Sequence, residues 1–292
     1  MPPRVPLRLE IAAARAVGRL SRLARTGGGT TLPGKLLWKL DPRAIDRLAA
    51  RLPRGSALVS ATNGKTTTAA LAASILEPRV RLAHNRSGAN LVSGVASTLL
   101  AAPRESELGL FEVDEGALPE VARRLRPRAI CLANLFRDQL DRYGELELIA
   151  ERWRQAVREL PPETRLVVNG DDPQVGDLAR ERPGSLVFGL DDPRHAQPEL
   201  QHAADSKYCV VCGTPYVYAA AYVGHLGDYR CPSCGHARPA LDVRARGIEL
   251  HGLERASFEL AAAEGSRRIE LALRKIVAGR GYVQPYWEER AA

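Results

Sequence analysis

The chain has no apolar run near the roughly 18 residues needed to span a bilayer. It has no secretory core segment either, so a cytoplasmic protein is expected. Lysine is nearly absent. Only Lys35, Lys39, Lys65, Lys207 and Lys275 occur, so arginine carries almost all of the +8 formal charge. That balance permits nucleic acid, anionic membrane or phosphate-rich partners without choosing among them, and because the arginines are scattered among acids most of them read as solvated surface. No G-x-S-x-G occurs, which removes one common hydrolase nucleophile. Cysteine is scarce too, with 5 in 292 residues, and four of the five sit in two close pairs.

What is present centres on Ser60-Ala61-Thr62-Asn63-Gly64-Lys65-Thr66-Thr67-Thr68. The apolar run Ala57-Leu58-Val59 leads in, and an alanine-rich helical stretch from Thr67 to Leu76 leads out. Strand, glycine turn, Lys-Thr, helix is the layout of a phosphate-binding loop. Gly64 lets backbone N–H groups approach an anion, and the helix N-terminus adds partial positive charge. Lys65 would reach the terminal phosphates of ATP, and the Thr66 hydroxyl would hold Mg²⁺. The longer G-x-x-x-x-G-K-[ST] pattern does not fit, because position 59 is valine. Ala61 also stands where the shorter form of the loop has glycine, which requires negative φ there. A bland polar turn is the competing account.

Beyond the loop, apolar and helical segments alternate: strands at 108–113, 129–133, 166–168 and 186–188, helices at 118–125, 145–160 and 174–180. That alternation predicts a parallel sheet with helices on both faces. Ligands bind beyond the carboxyl ends of such strands. Glu112, Asp114, Asn134, Asp138 and Asn169 stand there. Before the loop, residues 32–40 and 41–52 read as helical, with Asp41-Pro42 as a start signal. Leu7, Ile11, Ala14, Val17 and Leu20 approximate a helical stripe. An arginine-rich, acid-poor transit peptide is the alternative for that region.

Cys209-x-x-Cys212, 18 residues, then Cys231-x-x-Cys234 has zinc-ligand spacing. Disulfides or unpaired thiols are the rivals, and a cytoplasmic setting disfavours disulfides. Four thiolates would close the shell of a structural Zn²⁺, leaving no ligand role for His225 or His236. Cys131 lies in an apolar strand and reads as core.

The short loop resembles that of the Mur ligases and folylpolyglutamate synthases. Further segments match the Mur ATPase domain in order: Asn85 to Asn90, Glu112-Val113-Asp114-Glu115, Asn134 to Gly144, Asn169-Gly170-Asp171-Asp172-Pro173, and Phe188-Gly189. The cysteine insert narrows the likeness to the ligase-like subunits of lipid II isoglutaminyl synthases. The resemblance implies a Mur central-domain α/β fold with a zinc ribbon inserted. It divides the chain into a helical segment at 1–53, an ATPase domain at 54–273 containing the ribbon at 205–240, and a divergent tail at 274–292. It implies ATP binding by Thr62, Asn63, Gly64, Lys65, Thr66, Thr67 and Asn169. Lys65 and Glu112 would be catalytic, and Thr66, Glu112 and Gln139 would hold Mg²⁺. Many Mur ligases have histidine where Gln139 stands; glutamine offers a carbonyl oxygen, which suits a hard cation. Several also carry a carbamylated lysine, and here no lysine occurs between Thr66 and Ser206.

The implied reaction is ATP-dependent amidation of a D-glutamate α-carboxylate in lipid II, through an acyl phosphate. Ammonia would come from a GatD-like glutaminase subunit, and the lipid-linked substrate would sit at the membrane surface. No nucleic acid partner is expected. An amino-acid-adding ligase, or a zinc-ribbon nucleic-acid binder with a degenerate ATPase, are the alternatives. Resemblance ends near Arg274, so the remaining text reads as a truncated or frame-shifted, impaired product, with a short natural variant as the alternative.

Overall fold

A computed structural model describes residues 31–41, 43–85, 88–137, 146–197, 205–252, 254–272 and 286–288. The stripe from Leu7 to Leu20 and the segment around Gln139 lie outside them. The chain forms two compact units, 1–131 with 159–164, and 132–158 with 165–292. No helix among the described residues is long and apolar enough to cross a membrane.

The first unit begins with helices α1 (Leu32–Leu40) and α2 (Ala44–Ala49). Strand β1 (Ser56–Ser60), helix α3 (Lys65–Leu76), β2 (Leu82–His84), α4 (Val92–Ala101), β3 (Leu108–Glu112), α5 (Leu118–Leu125) and β4 (Ala129–Leu132) follow. The strand order is β4-β1-β3-β2, and β1–β3 and β2–β3 are parallel. Because side chains alternate along a strand, one face carries Ala57, Val59 and Leu110. Helix α3 packs there through Ala69 and Ala73, and Cys131 joins the cluster. Alanine at every fourth position keeps that helix close to the sheet. Phe111 points to the opposite face, near Leu52, three residues past α2. There α1, α2, α4 and α5 pack on one another. Leu118, Val121, Ala122 and Leu125 form the buried stripe of α5, with Arg123 exposed and Arg124 laid over the Trp38 ring.

The second unit carries α6 (Leu146–Glu159), β5 (Arg165–Asn169), α7 (Pro173–Gly176) and β6 (Leu186–Leu190). Hairpin strands β7 (Val217–Val223) and β8 (Leu226–Arg230) come next, then β9 (Val243–His251), β10 (Arg255–Ala262), β11 (Gly265–Ala272) and β12 (Tyr286–Glu288). The order β5-β6-β9-β10-β11-β12 begins parallel and becomes an antiparallel meander from β9 onward. Trp153 of α6 is fully buried. The helix expected over 174–180 is instead the single turn α7 followed by a 3₁₀ turn at Asp177–Glu181. Within 274–292, Tyr286–Glu288 pairs with β11.

Asp172 holds this unit's loops together. Its Oδ1 accepts the Gln174 and Val175 amides at 2.8 and 3.2 Å, capping α7. Its Oδ2 accepts the Leu135 amide at 2.9 Å and lies 3.2 Å from His225 Nε2. Both side chains are fully buried. Asp172→Ala strands those donors away from water and is expected to cost about 3–5 kcal/mol, since each buried donor left without an acceptor costs about 1–3 kcal/mol. Urea unfolding checks this, and a loss under about 1 kcal/mol would contradict it.

Candidate nucleotide site and cysteine ribbon

In the first unit, β1 ends at Ser60 and α3 begins at Lys65. Gly64 is the residue before the helix, at φ +80°. A Cβ at this position would meet nothing within 4 Å, so the glycine answers the left-handed backbone and not crowding. Ala61 is buried and outside the positive-φ region, as its alanine requires. Thr66 and Thr67 lie in the first turn of α3, where amides are free of intrahelical partners.

Lys65 folds back over the loop. Its Nζ donates to the Ala61 carbonyl, to the Thr62 carbonyl at 3.0 Å and to Glu115 Oε2 at 3.0 Å. Glu115 is 2% exposed at its side chain, so this pair is shielded from solvent. The acidic strand end was legible as a motif, but Glu115 rather than Glu112 is the carboxylate that meets the lysine. The two stand 50 positions apart, and no periodic signal announces that contact.

Glu112 is buried at the end of β3. It is the register partner of Val59, so both project to the face that α3 covers. Asn85 fixes that strand end: Oδ1 accepts the Glu112 amide at 2.9 Å, and Nδ2 donates to the Glu112 carbonyl at 2.8 Å. Ser60 Oγ donates to the Val113 carbonyl at 2.8 Å, tying β1 to the same corner. An anion-ready helix start, a lysine and a carboxylate on one face suit phosphate together with a hard cation.

Asn169 stands at the end of β5 in the second unit. Its Oδ1 accepts the Asp171 amide at 3.0 Å. Asp171 and Asp172 shape the turn. Burial pushes Asp171 up to about 6, against the hydrogen bond from the Leu190 amide and the charge of Arg238.

The two cysteine pairs form matching knuckles. Gly213 N–H donates to the Cys209 carbonyl at 2.9 Å, and Gly235 N–H donates to the Cys231 carbonyl at 3.1 Å. Both glycines have positive φ. Within each knuckle an amide donates to the first sulfur, Val211 to Cys209 at 3.4 Å and Cys234 to Cys231 at 3.5 Å. The sulfurs of Cys209, Cys212, Cys231 and Cys234 all lie within 4.8 Å of one another. The Cys209–Cys234 and Cys212–Cys231 separations are both 3.5 Å. A tetrahedron with Zn–S near 2.3 Å has edges of about 3.8 Å, so the group fits the ion with small adjustment. The histidines have other work. His236 Nδ1 lies 2.9 Å from the Tyr216 hydroxyl and its Nε2 3.0 Å from Asp177, while His225 meets Asp172. Cys131 stands apart, and burial pushes its thiol up to about 11.

Residues 59–229 match the Mur ligase middle domain. The chain is 30% identical over 77% of its length to the MurT subunit of lipid II isoglutaminyl synthase (glutamine-hydrolyzing) from Staphylococcus aureus. It is 33% identical over 76% of its length to the same subunit from Streptococcus pneumoniae. It spans about half of these relatives, 49% and 50% of their lengths. Among solved structures, a pseudomurein peptide ligase type C from Methanothermus fervidus aligns over 83% of this chain and 48% of its own, with TM-score 0.60 and 21% identity. Its likeness shows the mostly parallel α/β fold. With the glycine turn before α3, the acidic strand end and the Asn169 turn all inside the matched residues, the chain belongs to the Mur ligase family, among the relatives of the MurT subunits.

Proposed function

We propose that the chain is the nucleotide-binding core of an ATP-dependent carbon–nitrogen ligase. Its substrate is the stem peptide of lipid II, and its product carries D-isoglutamine in place of D-glutamate. The observation that carries this reading is the Lys65 corner: a left-handed glycine, a helix N-terminus, and a lysine whose present partners are carbonyls and one carboxylate. The MurT identity of the relatives supports the substrate assignment.

A carboxylate is a poor electrophile. Its oxygen attacks the γ-phosphorus, the bond from that phosphorus to the bridging oxygen breaks, and ADP leaves. Ammonia nitrogen then attacks the acyl phosphate carbon, sheds a proton, and inorganic phosphate departs. The protein's task is to position the reactants and neutralise charge. Lys65 turns from its loop carbonyls and Glu115 to the phosphates, and the first-turn amides at Thr66 and Thr67 hold the same anion. Thr62 and Asn63 line the loop, with Asn169 as the further nucleotide ligand expected from sequence. Thr66 and Glu112 would hold Mg²⁺, with Gln139 as the further ligand expected from sequence; the ion would neutralise charge on the phosphates. Cys209, Cys212, Cys231 and Cys234 would hold a structural Zn²⁺ that ties the two knuckles. Ammonia comes from a glutaminase partner subunit. The lipid-linked substrate places the work in the cytoplasm, at the inner face of the membrane.

Trapping tests the reaction type. With Mg·ATP, a lipid II stem peptide and hydroxylamine, the expected product is a hydroxamate at the D-glutamate α-carboxylate. ATP consumption with no hydroxamate, in protein that binds both substrates, would contradict an acyl phosphate.

A further inference from the structure

Helix α1 is apolar on two sides. Its inner side is fixed to the first unit. Leu37 is fully buried. Gly34 N–H donates to Ser97 Oγ of α4 at 2.8 Å, and a Cβ on Gly34 would stand 1.8 Å from the Ser93 carbonyl oxygen. The Arg124 guanidinium of α5 lies 5.2 Å from the centroid of the Trp38 ring. These contacts set the roll of the helix about its own axis.

The outer side is then Leu32, Lys35, Leu36, Lys39 and Leu40, which recur at helical spacing and share one face. A surface helix ordinarily turns polar residues to water there. Here Leu32 is 47% exposed and Leu40 56%, both lysines are exposed, and Leu36 is half-buried. The charge on this face has one sign. Helix α1 holds no acid. The carboxylate that follows it, Asp41, is engaged by Arg47, and its Oδ1 accepts the Arg43 amide at 2.9 Å. The Arg43 side chain is exposed beside them. The sequence leading into the helix has the same sign, since residues 1–30 hold Glu10 as their only acid against six arginines.

We infer that α1 docks the protein on an anionic lipid surface. Leu32, Leu36 and Leu40 enter the boundary between headgroups and acyl chains, and Lys35 and Lys39 reach back to the lipid phosphates on their flexible stems. Lysine is depleted in protein–protein interfaces, so leucines set among lysines fit lipid better than a protein partner. The inference deepens the reading that the substrate is lipid-linked, because it names the surface that would bring the enzyme to that substrate. The docking itself needs neither nucleotide nor lipid II.

Co-sedimentation with vesicles tests it, using the full chain without nucleotide or lipid II. One set of vesicles mixes phosphatidylglycerol with phosphatidylcholine, and the other is phosphatidylcholine alone. The unaltered chain is expected on the anionic vesicles and largely absent from the neutral ones. Lys35→Gln with Lys39→Gln should weaken binding about 30-fold, from about 1 kcal/mol for each cation lost. Leu32→Gln with Leu40→Gln should weaken it about tenfold, from the apolar area withdrawn from the bilayer. All four side chains are exposed, so both variants should melt with the unaltered chain. If either double variant fails to fold, Lys39→Gln alone should still lose about fivefold. An unaltered chain that ignores anionic vesicles would overturn the inference. So would folded variants that bind as tightly as the unaltered chain, which would place the lipid contact elsewhere. Self-association that Leu32→Gln with Leu40→Gln abolishes, without lipid binding, would overturn it in favour of a second copy. Vesicle binding that persists where hydroxamate trapping fails would strike the reaction and leave the docking face standing.

Discussion

Cys231→Ser is expected to empty the ribbon of zinc and unfold it while the first unit stays folded. Cys231 is 1% exposed and packs with Cys209, Tyr216 and Tyr229, the main buried cluster of the insert. That cluster is too small to hold a hairpin and two knuckles by burial alone. The metal must supply the rest, and structural zinc binding in small domains is worth about 10–16 kcal/mol. Hydrogen exchange should therefore show β7 and β8 losing protection by several orders of magnitude, with β1 and β3 unchanged. Metal analysis should fall from about one zinc per chain to none. A variant that keeps its zinc, or protein that never held zinc when purified under reducing conditions, would refute the ligand set.

Lys65→Ala is expected to abolish measurable binding of Mg·ATP. The lysine and the helix start are the cationic groups of the loop, and a charge-assisted contact to phosphate lost from a shielded site costs about 3 kcal/mol or more, over 100-fold in affinity. The substitution also leaves Glu115 buried without its cation, so melting should fall modestly as well. The two effects separate by working well below the variant's melting temperature. Nucleotide affinity unchanged from that of the unaltered chain would sink the loop assignment.

The features legible in sequence were those with local chemistry. A left-handed glycine before a helix, and cysteines with two residues between them, are fixed by backbone geometry over a few residues. The stripes of α5 and α6 were legible because polar and apolar faces differ. Helix α4 was not: Gly94, Val95, Ala96, Ser97, Leu99 and Leu100 are all buried, so no polar face reveals its period. Strand β2 is three residues long, too short for any pattern. The β9–β11 meander is exposed on much of both faces and studded with Arg and Glu, which hides its alternation. Asp171-Asp172-Pro173 stood out in sequence only as part of a family-like segment, with no role for either carboxylate. The structure makes Asp172 a cap and a junction for loops distant in sequence, which local spacing cannot announce. Glu115 was passed over for the same reason.

The most direct test of the proposed reaction is a competition between nucleophiles. The chain, with lipid II and Mg·ATP, would be offered isotopically labelled ammonium and a mixture of amino acids together. Supplying ammonium directly removes any need for the glutaminase partner. The account predicts label at the D-glutamate α-carboxamide, formed only with ATP and lost in Lys65→Ala. ATP-dependent attachment of an amino acid, with the label left in solution, would contradict it.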